Sequence, residues 1–353
     1  MKWVLLFILV LVGVSGCQSF RYHDPNKAHH GENQFLNNYD NSPKDGFWKW
    51  QWERLTSTRP PEPPFHPEIV KTDTQFLQAN REESTLTWIG HATSLIQLSG
   101  VNILMDPVFS DRVSPVSFMG PKRLVPLPFE ISDLPAIDVV LVSHGHYDHL
   151  DLPTLRALAQ RDSQTLFLVP LGDEALLKSQ GIKNVKEMDW WDETKLKDLT
   201  VVLTPAQHWS QRSLFDHNKS LWGGWYVKSS RLHVFYSGDT GYSRDFQDIR
   251  LKLGEVDVAL LPVGTYEPRW FMKKQHVNPE EAVQIHEDLK AKLSIGVHWG
   301  TFRLSDEAMS LPPVDLQKAL AAKKMDSSVF RLLKHGEILK LKNYERVYAE
   351  VPH

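Results

Sequence analysis

Val139-Val140-Leu141-Val142-Ser143-His144-Gly145-His146-Tyr147-Asp148-His149-Leu150-Asp151 reads as a short apolar strand running directly into a loop. His144, His146, Asp148 and His149 place four metal-ligand side chains within six positions of that loop. Imidazole and carboxylate together suit a borderline cation such as zinc. A strand end holds them at fixed angles while leaving one side of the loop open. The duller reading, a solvated polar turn with incidental histidines, does not account for an H-x-H-x-D-H run that starts where an apolar strand stops.

Outward from this loop the same plan recurs. Leu86 to Thr93 and Ser94 to Leu98 read as strands, and Asn102 to Met105 forms another that closes on Asp106-Pro107. A strand-end aspartate near a histidine-rich loop can orient ligand imidazoles through their second nitrogens, so Asp106 takes that role, which is compatible with a turn-forming Asp-Pro. Leu166 to Pro170 and Thr200 to Thr204 are further strands, the second leading to His208. Leu232 to Tyr236 leads to Asp239, Val256 to Pro262 follows, and Leu293 to Val297 leads to His298. Alone, His208 or His298 would more often be an ordinary core or surface histidine. Their strand-end series reverses that reading and predicts ligands gathered along one edge of a layered sheet core. Helical spacing over Leu152 to Ala159, Pro279 to Leu289 and Val314 to Ala322 predicts helices on the outer faces.

With 353 residues and ordinary apolar and charged fractions, the chain is a folded globular protein of one large domain or two smaller ones. Its formal net charge of -3 and the lack of a basic block give no support to nucleic-acid binding, although sixteen histidines would raise the charge in an acidic setting. Lys2 and the apolar run Trp3 to Val14 have the layout of a secretory signal, too short to span a bilayer comfortably. The run ends in Val14-Ser15-Gly16-Cys17, and Cys17 is the single cysteine, with no intrachain partner. Small residues before a lone cysteine resemble a bacterial lipoprotein signal, which implies a signal peptide over 1–16 and lipidation of Cys17. The alternative is an uncleaved anchor, and either tethers the body to a membrane. Gln18 after the cysteine, by the same resemblance, implies the outer membrane, facing the periplasm.

Residues 17–83 are polar and proline-bearing, with Arg59-Pro60-Pro61-Glu62-Pro63-Pro64 excluding a helix or central strand, and are predicted to form a membrane tether and wrapping segment. Phe47, Trp48, Trp50 and Trp52 interrupt it. Docking on the domain is preferred for this cluster over a lipid interface. Residues 84–353 are then the folded domain that carries the candidate ligands.

The ordered set His144-x-His146-x-Asp148-His149, His208, Asp239 and His298 resembles the metallo-β-lactamase superfamily. More narrowly, the chain is similar to the branch that hydrolyses N-acylphosphatidylethanolamine in the manner of a phospholipase D. The strings that carry this are Trp88-Ile89-Gly90-His91-Ala92-Thr93, Met119-Gly120-Pro121-Lys122-Arg123, Asp189-Trp190-Trp191, Gln207-His208-Trp209, Gly238-Asp239-Thr240-Gly241-Tyr242, Tyr266 to Met272, and His298-Trp299-Gly300-Thr301-Phe302. Gly145, where the branch often has Asn, and the lipoprotein-like amino terminus depart from it.

The resemblance implies an α/β fold, an αββα sandwich with a single catalytic domain, and two zinc ions (Zn2+). It implies that His144, His146 and His208 bind one ion, that Asp148, His149 and His298 bind the other, and that Asp239 bridges them. Seven ligands serve two ions only if one is shared and water fills the remaining positions. The implied reaction converts N-acylphosphatidylethanolamine to N-acylethanolamine and phosphatidic acid, with a bridging hydroxide as nucleophile and Asp148 as a catalytic base. Gln275 and His276 are placed near the substrate, His276 also as a proton shuttle, with a plain polar loop as the alternative. Trp270, Phe271 and Met272 line an acyl cavity or membrane face in this reading, and core positions in the other. A membrane phospholipid is the expected partner, and a homodimer is also implied. The competing expectations are a hydrolase of a soluble phosphodiester or lactone, and a non-catalytic zinc-stabilised envelope protein.

Overall fold

The central strands are apolar and buried on both faces, which calls for cover on each side, and the chain supplies it in four layers. The computed structural model describes residues 20–42, 46–56 and 65–346. The leader, Cys17, the Arg59 to Pro64 run and the side chains of Phe47 and Trp48 lie outside what is described.

The strands are β1 (Thr85–Gly90), β2 (Thr93–Leu98), β3 (Val101–Met105), β4 (Val139–Leu141), β5 (Leu166–Pro170), β6 (Val185–Met188), β7 (Glu193–Leu196), β8 (Leu199–Thr204), β9 (Gly224–Lys228), β10 (His233–Tyr236), β11 (Val258–Pro262), β12 (Leu293–Val297), β13 (Phe330–Leu332) and β14 (Ile338–Lys340). They form two seven-stranded sheets, ordered β14-β1-β2-β3-β4-β5-β6 and β13-β12-β11-β10-β9-β8-β7. Both sheets follow one plan. β14 to β3 and β7 to β10 pair antiparallel, whereas β3 to β6 and β10 to β13 pair parallel. Because antiparallel neighbours alternate in direction, β1, β3 and β4 end at one edge of their sheet, and β8, β10 and β12 at one edge of theirs.

Residues at alternate positions divide between layers, as a period of two requires. Ile103, Met105, Val139 and Leu141 meet Val201, Leu203, Val234, Tyr236, Val258 and Leu260 between the sheets. Their neighbours Leu104, Val140 and Phe167 pack outward against α2 (Thr74–Ala79), α3 (Leu152–Arg161) and α4 (Glu174–Ser179) through Leu77, Leu155, Leu158 and Leu177. Phe235, Ala259 and Leu261 pack against α5 (Asp245–Leu253), α7 (Pro279–Leu289) and α8 (Leu311–Ala322). This is the αββα sandwich, in one domain.

Helix α7 starts where its capping box sets it: Asn278 Oδ1 accepts from the Glu281 N–H at 2.8 Å, and Glu281 Oε2 accepts from the Asn278 N–H at 3.2 Å. Helix α8 begins before the expected Val314. Pro312 and Pro313 fall in its first turn, where backbone N–H groups have no intrahelical partner and proline is tolerated. The apolar run expected as one strand over Leu86 to Thr93 is instead broken at a hairpin tip, His91-Ala92, where β1 turns into β2.

Residues 20–42 lie on the domain, with Phe20 and Phe35 buried in the layer between the sheets. In α1 (Phe47–Thr56), Trp50 stacks on Phe271 at 4.9 Å, and its indole N–H donates to Asp306 at 2.7 Å. Trp52 remains exposed. Phe271 belongs to the short helix α6 (Arg269–Met272), in which Met272 is buried and Trp270 is half-exposed.

Candidate metal centre

Every candidate ligand sits in a loop leaving one edge of the sheets. β4 leads into His144 to His149, β8 into His208, β10 into Asp239 and β12 into His298. His144, His146 and His208 form one group with their ligand atoms within 4.8 Å of one another, and His91, Asp148, His149 and His298 form a second. Asp239 lies between the groups: its Oδ2 is 3.2 Å from His149 Nε2 and 3.9 Å from His208 Nε2, and its Oδ1 is 3.2 Å from His298 Nε2.

Spacings in both groups fit a metal ion, with His144 Nε2 and His146 Nδ1 closer, at 2.8 Å. Two donors each about 2.0–2.1 Å from a tetrahedral zinc stand roughly 3.3 Å apart. His146 Nδ1 to His208 Nε2 is 3.3 Å, Asp148 Oδ2 to His298 Nε2 is 3.3 Å, and Asp148 Oδ2 to His149 Nε2 is 3.4 Å. His149 Nε2 and Asp239 Oδ1 are buried and make no hydrogen bond, so these donors converge on a point rather than on each other. The chain therefore has the donor set of a metal centre.

In four of the imidazoles, His144, His149, His208 and His298, the nitrogen that faces away from the group is held by an acceptor, which sets the tautomer. His149 Nδ1–H donates to Asp106 Oδ2 at 2.6 Å. Ser143 Oγ donates to Asp106 Oδ2 at 2.5 Å and accepts from His144 Nδ1–H at 2.9 Å. The Gln275 carbonyl accepts from His208 Nδ1–H at 2.9 Å, and Thr265 Oγ1 accepts from His298 Nδ1–H at 3.2 Å. Each of these four rings is left presenting Nε2. Asp106 is itself fixed by the Ser143 N–H at 2.7 Å and the Tyr236 hydroxyl at 2.5 Å.

Electrostatics favour cations here. Burial pulls the His149 imidazole pKa down, but the carboxylates of Asp239, Asp148 and Asp106 outweigh it and raise it well above the ordinary range. Burial likewise opposes protonation of His298, yet Asp239 and Asp148 lift it to about 9. His144, buried among His149, His146 and His208, is pushed well below the usual value. For Asp148 and Asp239, burial works against ionisation, and the neighbouring histidines more than offset it, leaving both carboxyls strongly acidic.

Backbone turns place these groups. Asp106 has φ 37°, and His298 has φ 61°, both in the left-handed region that side chains rarely occupy. Gly238, at φ 61°, brings Asp239 against the metal loop: a Cβ there would stand 2.7 Å from the Gly223 carbonyl and 2.8 Å from Ser143 Cβ. Gly145 is also filled around. A Cβ on it would lie 2.8 Å from Ser210 Oγ and 3.3 Å from Asp173 Oδ1, so the asparagine of the resembled branch would require these side chains to shift.

Gln275 and His276 are both buried, at the rim of the same centre. His276 Nδ1 stands 3.7 Å from Asp239 Oδ2, and its ring is 5.2 Å from that of His208. The centre opens to solvent on the side of His146, Tyr147 and Asp148, which are partly exposed. A small recess beside His298, with a cavity volume of about 10 Å³, is lined by Thr265, Trp299, Phe302, Arg303, Leu304 and Met309.

The ligand reading from the sequence lacked His91. Its Nε2 lies 3.0 Å from Asp148 Oδ2, and its ring is 4.0 Å from that of His298. Its backbone is pinned too: the N–H donates to Thr301 Oγ1 at 2.7 Å, and the carbonyl accepts from the His298 N–H at 2.9 Å and the Trp88 indole N–H at 2.9 Å. The available signal was a histidine inside the Trp88 to Thr93 string, which reading the string as continuous strand concealed.

The chain matches the model of the beta-lactamase superfamily domain over residues 101–299. It is 42% identical over 264 residues to "N-acyl-phosphatidylethanolamine-hydrolyzing phospholipase D 1" of Caenorhabditis elegans, covering 71% of this chain and 74% of that one. It is 41% identical over 238 residues to the mitochondrial N-acyl-phosphatidylethanolamine-hydrolyzing phospholipase D of Saccharomyces cerevisiae, covering 65% of this chain and 50% of the yeast protein. In fold it is similar to the crystal structure of a possible metal-dependent hydrolase from Veillonella parvula, with a TM-score of 0.60 and 19% identity over 73% of this chain and all, 100%, of that one. A metal-dependent hydrolase is thus what the chain is, and the expectation of a non-catalytic envelope protein is set aside. With this fold, this donor set and these relatives, the chain belongs to the metallo-β-lactamase superfamily, in the branch that includes the N-acyl-phosphatidylethanolamine-hydrolyzing phospholipases D.

Proposed function

We propose that the chain is a two-zinc phosphodiesterase that hydrolyses N-acylphosphatidylethanolamine to phosphatidic acid and N-acylethanolamine. The observation that carries this is Asp239 standing between two ligand groups, His144, His146 and His208 on one side and Asp148, His149 and His298 on the other. When bound, a pair of zinc ions supplies Lewis acidity that lowers the pKa of water towards neutrality and offsets the anionic charge of a phosphodiester. Zinc suits the imidazole-rich donor set. The names of the relatives favour the lipid.

In this reading Asp148, partly exposed at the opening, takes the proton of the attacking water. Its Oδ2 carries the contacts to His91, His149 and His298, and so Oδ1 is the accepting oxygen. The water oxygen forms the new bond to phosphorus as the bond from phosphorus to the N-acylethanolamine oxygen breaks. His276, at the rim, donates the proton that the leaving oxygen needs. Gln275 orients His208 through its backbone carbonyl, and its buried side chain, whose Nε2 lies 3.8 Å from Met272 Sδ, is assigned to substrate binding in the same proposal. The partly exposed Trp270 belongs to the membrane face. Lipidated Cys17, an outer-membrane location facing the periplasm, and a homodimer belong to the same proposal.

A soluble phosphodiester or lactone is the second reading, since the matched superfamily domain and the metal-dependent hydrolase of similar fold name no lipid. The test incubates zinc-loaded protein with vesicles containing N-acylphosphatidylethanolamine and, separately, with soluble diesters and lactones, identifying products by mass. Phosphatidic acid and N-acylethanolamine are expected, and His144→Ala or Asp239→Asn should abolish them while circular dichroism shows an intact fold. Lipid left untouched beside a cleaved soluble ester decides for the second reading.

A further inference from the structure

We infer that Asn37 is a positioning residue of the metal centre, holding His208 from a strap, residues 20–42, that lies outside the matched family domain. The inference rests on the metal-centre reading above and adds a part to it.

His208 follows β8 by a few residues, just past the bridge that pairs Gln207 with Gly241, and among the described residues no strand pairs with its own backbone. One side chain does so instead. Asn37 Oδ1 accepts from the His208 N–H at 3.0 Å, and Asn37 Nδ2 donates to the His208 carbonyl at 3.1 Å. The amide thus mimics the backbone of an adjacent strand. The same Oδ1 accepts from the Trp222 indole N–H at 3.1 Å, and that indole also donates to the Ala206 carbonyl at 2.8 Å. Together with the Gln275 carbonyl on His208 Nδ1, these contacts hold both the backbone and the ring of this ligand.

Asn37 is held in turn. Its own N–H donates to Asn41 Oδ1 at 2.6 Å, and Asn41 Nδ2 donates to the Asn37 carbonyl at 2.7 Å, which closes a local turn. Just upstream, Phe35 is fully buried against Phe20 and Tyr22, and its N–H donates to the Asn218 carbonyl at 2.9 Å. Further back, Asp189 receives Lys27 Nζ at 2.5 Å, His29 Nε2 at 2.7 Å and His30 Nε2 at 2.9 Å. His29, His30 and Asp189 are metal-ligating types. Here the Lys27 ammonium already neutralises the carboxylate and the Trp190 N–H donates to its Oδ1 at 2.8 Å, which makes the group a clasp. A side chain delivered by a segment clasped at Asp189 and buried at Phe35 is preorganised, as an outer support of a metal ligand must be.

The test is stepwise zinc uptake by the full chain, read by competition with a chromophoric chelator. Amide hydrogen exchange over 206–209 in metal-free protein gives a second readout. Asn37→Ala is expected to weaken one of two binding steps by about 10–100-fold and leave the other in place, and to speed exchange at His208. Asn38→Ala removes a different strap contact, the 2.7 Å bond from Asn38 Nδ2 to Asp245 Oδ1, and is expected to leave both steps unchanged. Two unaltered steps in Asn37→Ala overturn the inference, and so does Asn38→Ala reproducing the Asn37→Ala loss, which would mean a general loosening. Wild-type protein that takes up no zinc overturns the metal-centre reading as well, so the two failures are told apart.

Discussion

Asp106→Asn is the sharpest perturbation of this centre, because the carboxylate touches no substrate and yet sets the chemistry of a ligand. Asp106 is fully buried and accepts four hydrogen bonds: the Ser143 N–H at 2.7 Å, the Ser143 hydroxyl at 2.5 Å, the Tyr236 hydroxyl at 2.5 Å and His149 Nδ1–H at 2.6 Å. The hydroxyls can rotate, but the Ser143 N–H and the His149 ring cannot. An amide oxygen serves only one of these two fixed donors. If it stays on Ser143, the amide NH2 meets His149 Nδ1, and the ring must shift its proton to Nε2, the atom that faces the ligand group. Losing a hydrogen bond to a charged acceptor costs roughly 1.5–3 kcal/mol in stability. Loss of ring orientation costs about 10–100-fold in metal affinity, or about 1.4–2.8 kcal/mol. Chelator competition reads the affinity, and urea unfolding of metal-free protein reads the stability. Tyr236→Phe removes one hydroxyl and leaves the tautomer alone, so its effect on zinc should be the smaller one. Asp106→Asn with undiminished zinc affinity and turnover would refute the reasoning.

Other outcomes follow from the same geometry. Gly145→Asn should destabilise the folded chain by about 1–3 kcal/mol by overpacking against Ser210 and Asp173, and an unchanged urea midpoint would count against that cradle. Asp189 is held well below the ordinary carboxylate range: burial opposes ionisation, but the bonds from His29 and Lys27 outweigh it. Its contribution is therefore present above the unfolded pKa of about 3.9 and lost as pH falls towards the depressed folded value. The stability gap between wild type and Asp189→Asn should hold steady from pH 6 to about pH 5 and begin to narrow as unfolding is measured from there down to pH 3, and parallel curves over that lower range would contradict it. Asp173 is shifted the other way, raised to about 7 chiefly by burial, partly opposed by Arg212. It should make the fold lose stability as pH rises from about 4 to 7. Asp173→Asn should flatten that slope, as thermal melts across this range would report. Removing metal with a chelator should abolish hydrolysis and lower the melting temperature. Zinc at about 100 times its dissociation constant should restore roughly 2.7 kcal/mol, and a melt indifferent to zinc would argue against a bound ion.

Much of the centre was readable before any coordinates. Apolar strands followed at once by ligand-type residues mark His144 to His149, His208, Asp239 and His298, and short, nearly continuous apolar runs mark the buried strands β3, β5 and β8. Other elements gave weaker signals. β6 and β7 lie at sheet edges with alternating exposed positions, so their sequences Val185 to Met188 and Glu193 to Leu196 are half polar. β13 and β14 are three residues each, too short for periodicity to register. β14 joins the first sheet beside β1, a pairing between distant parts of the chain.

The amino-acid sequence by itself determined the ligand types, their order and their place at strand ends, because side-chain chemistry and the strand period are local properties. Only the tertiary structure decided which ligands share a group, that His91 joins Asp148 and His298, and that Asn37 reaches His208. Those relations join residues as distant in the chain as His91 and His298. They pass through backbone turns such as φ 53° at His91 and φ 61° at His298. Such turns lie in a region that local preference disfavours, and they persist only where the packed surroundings impose them.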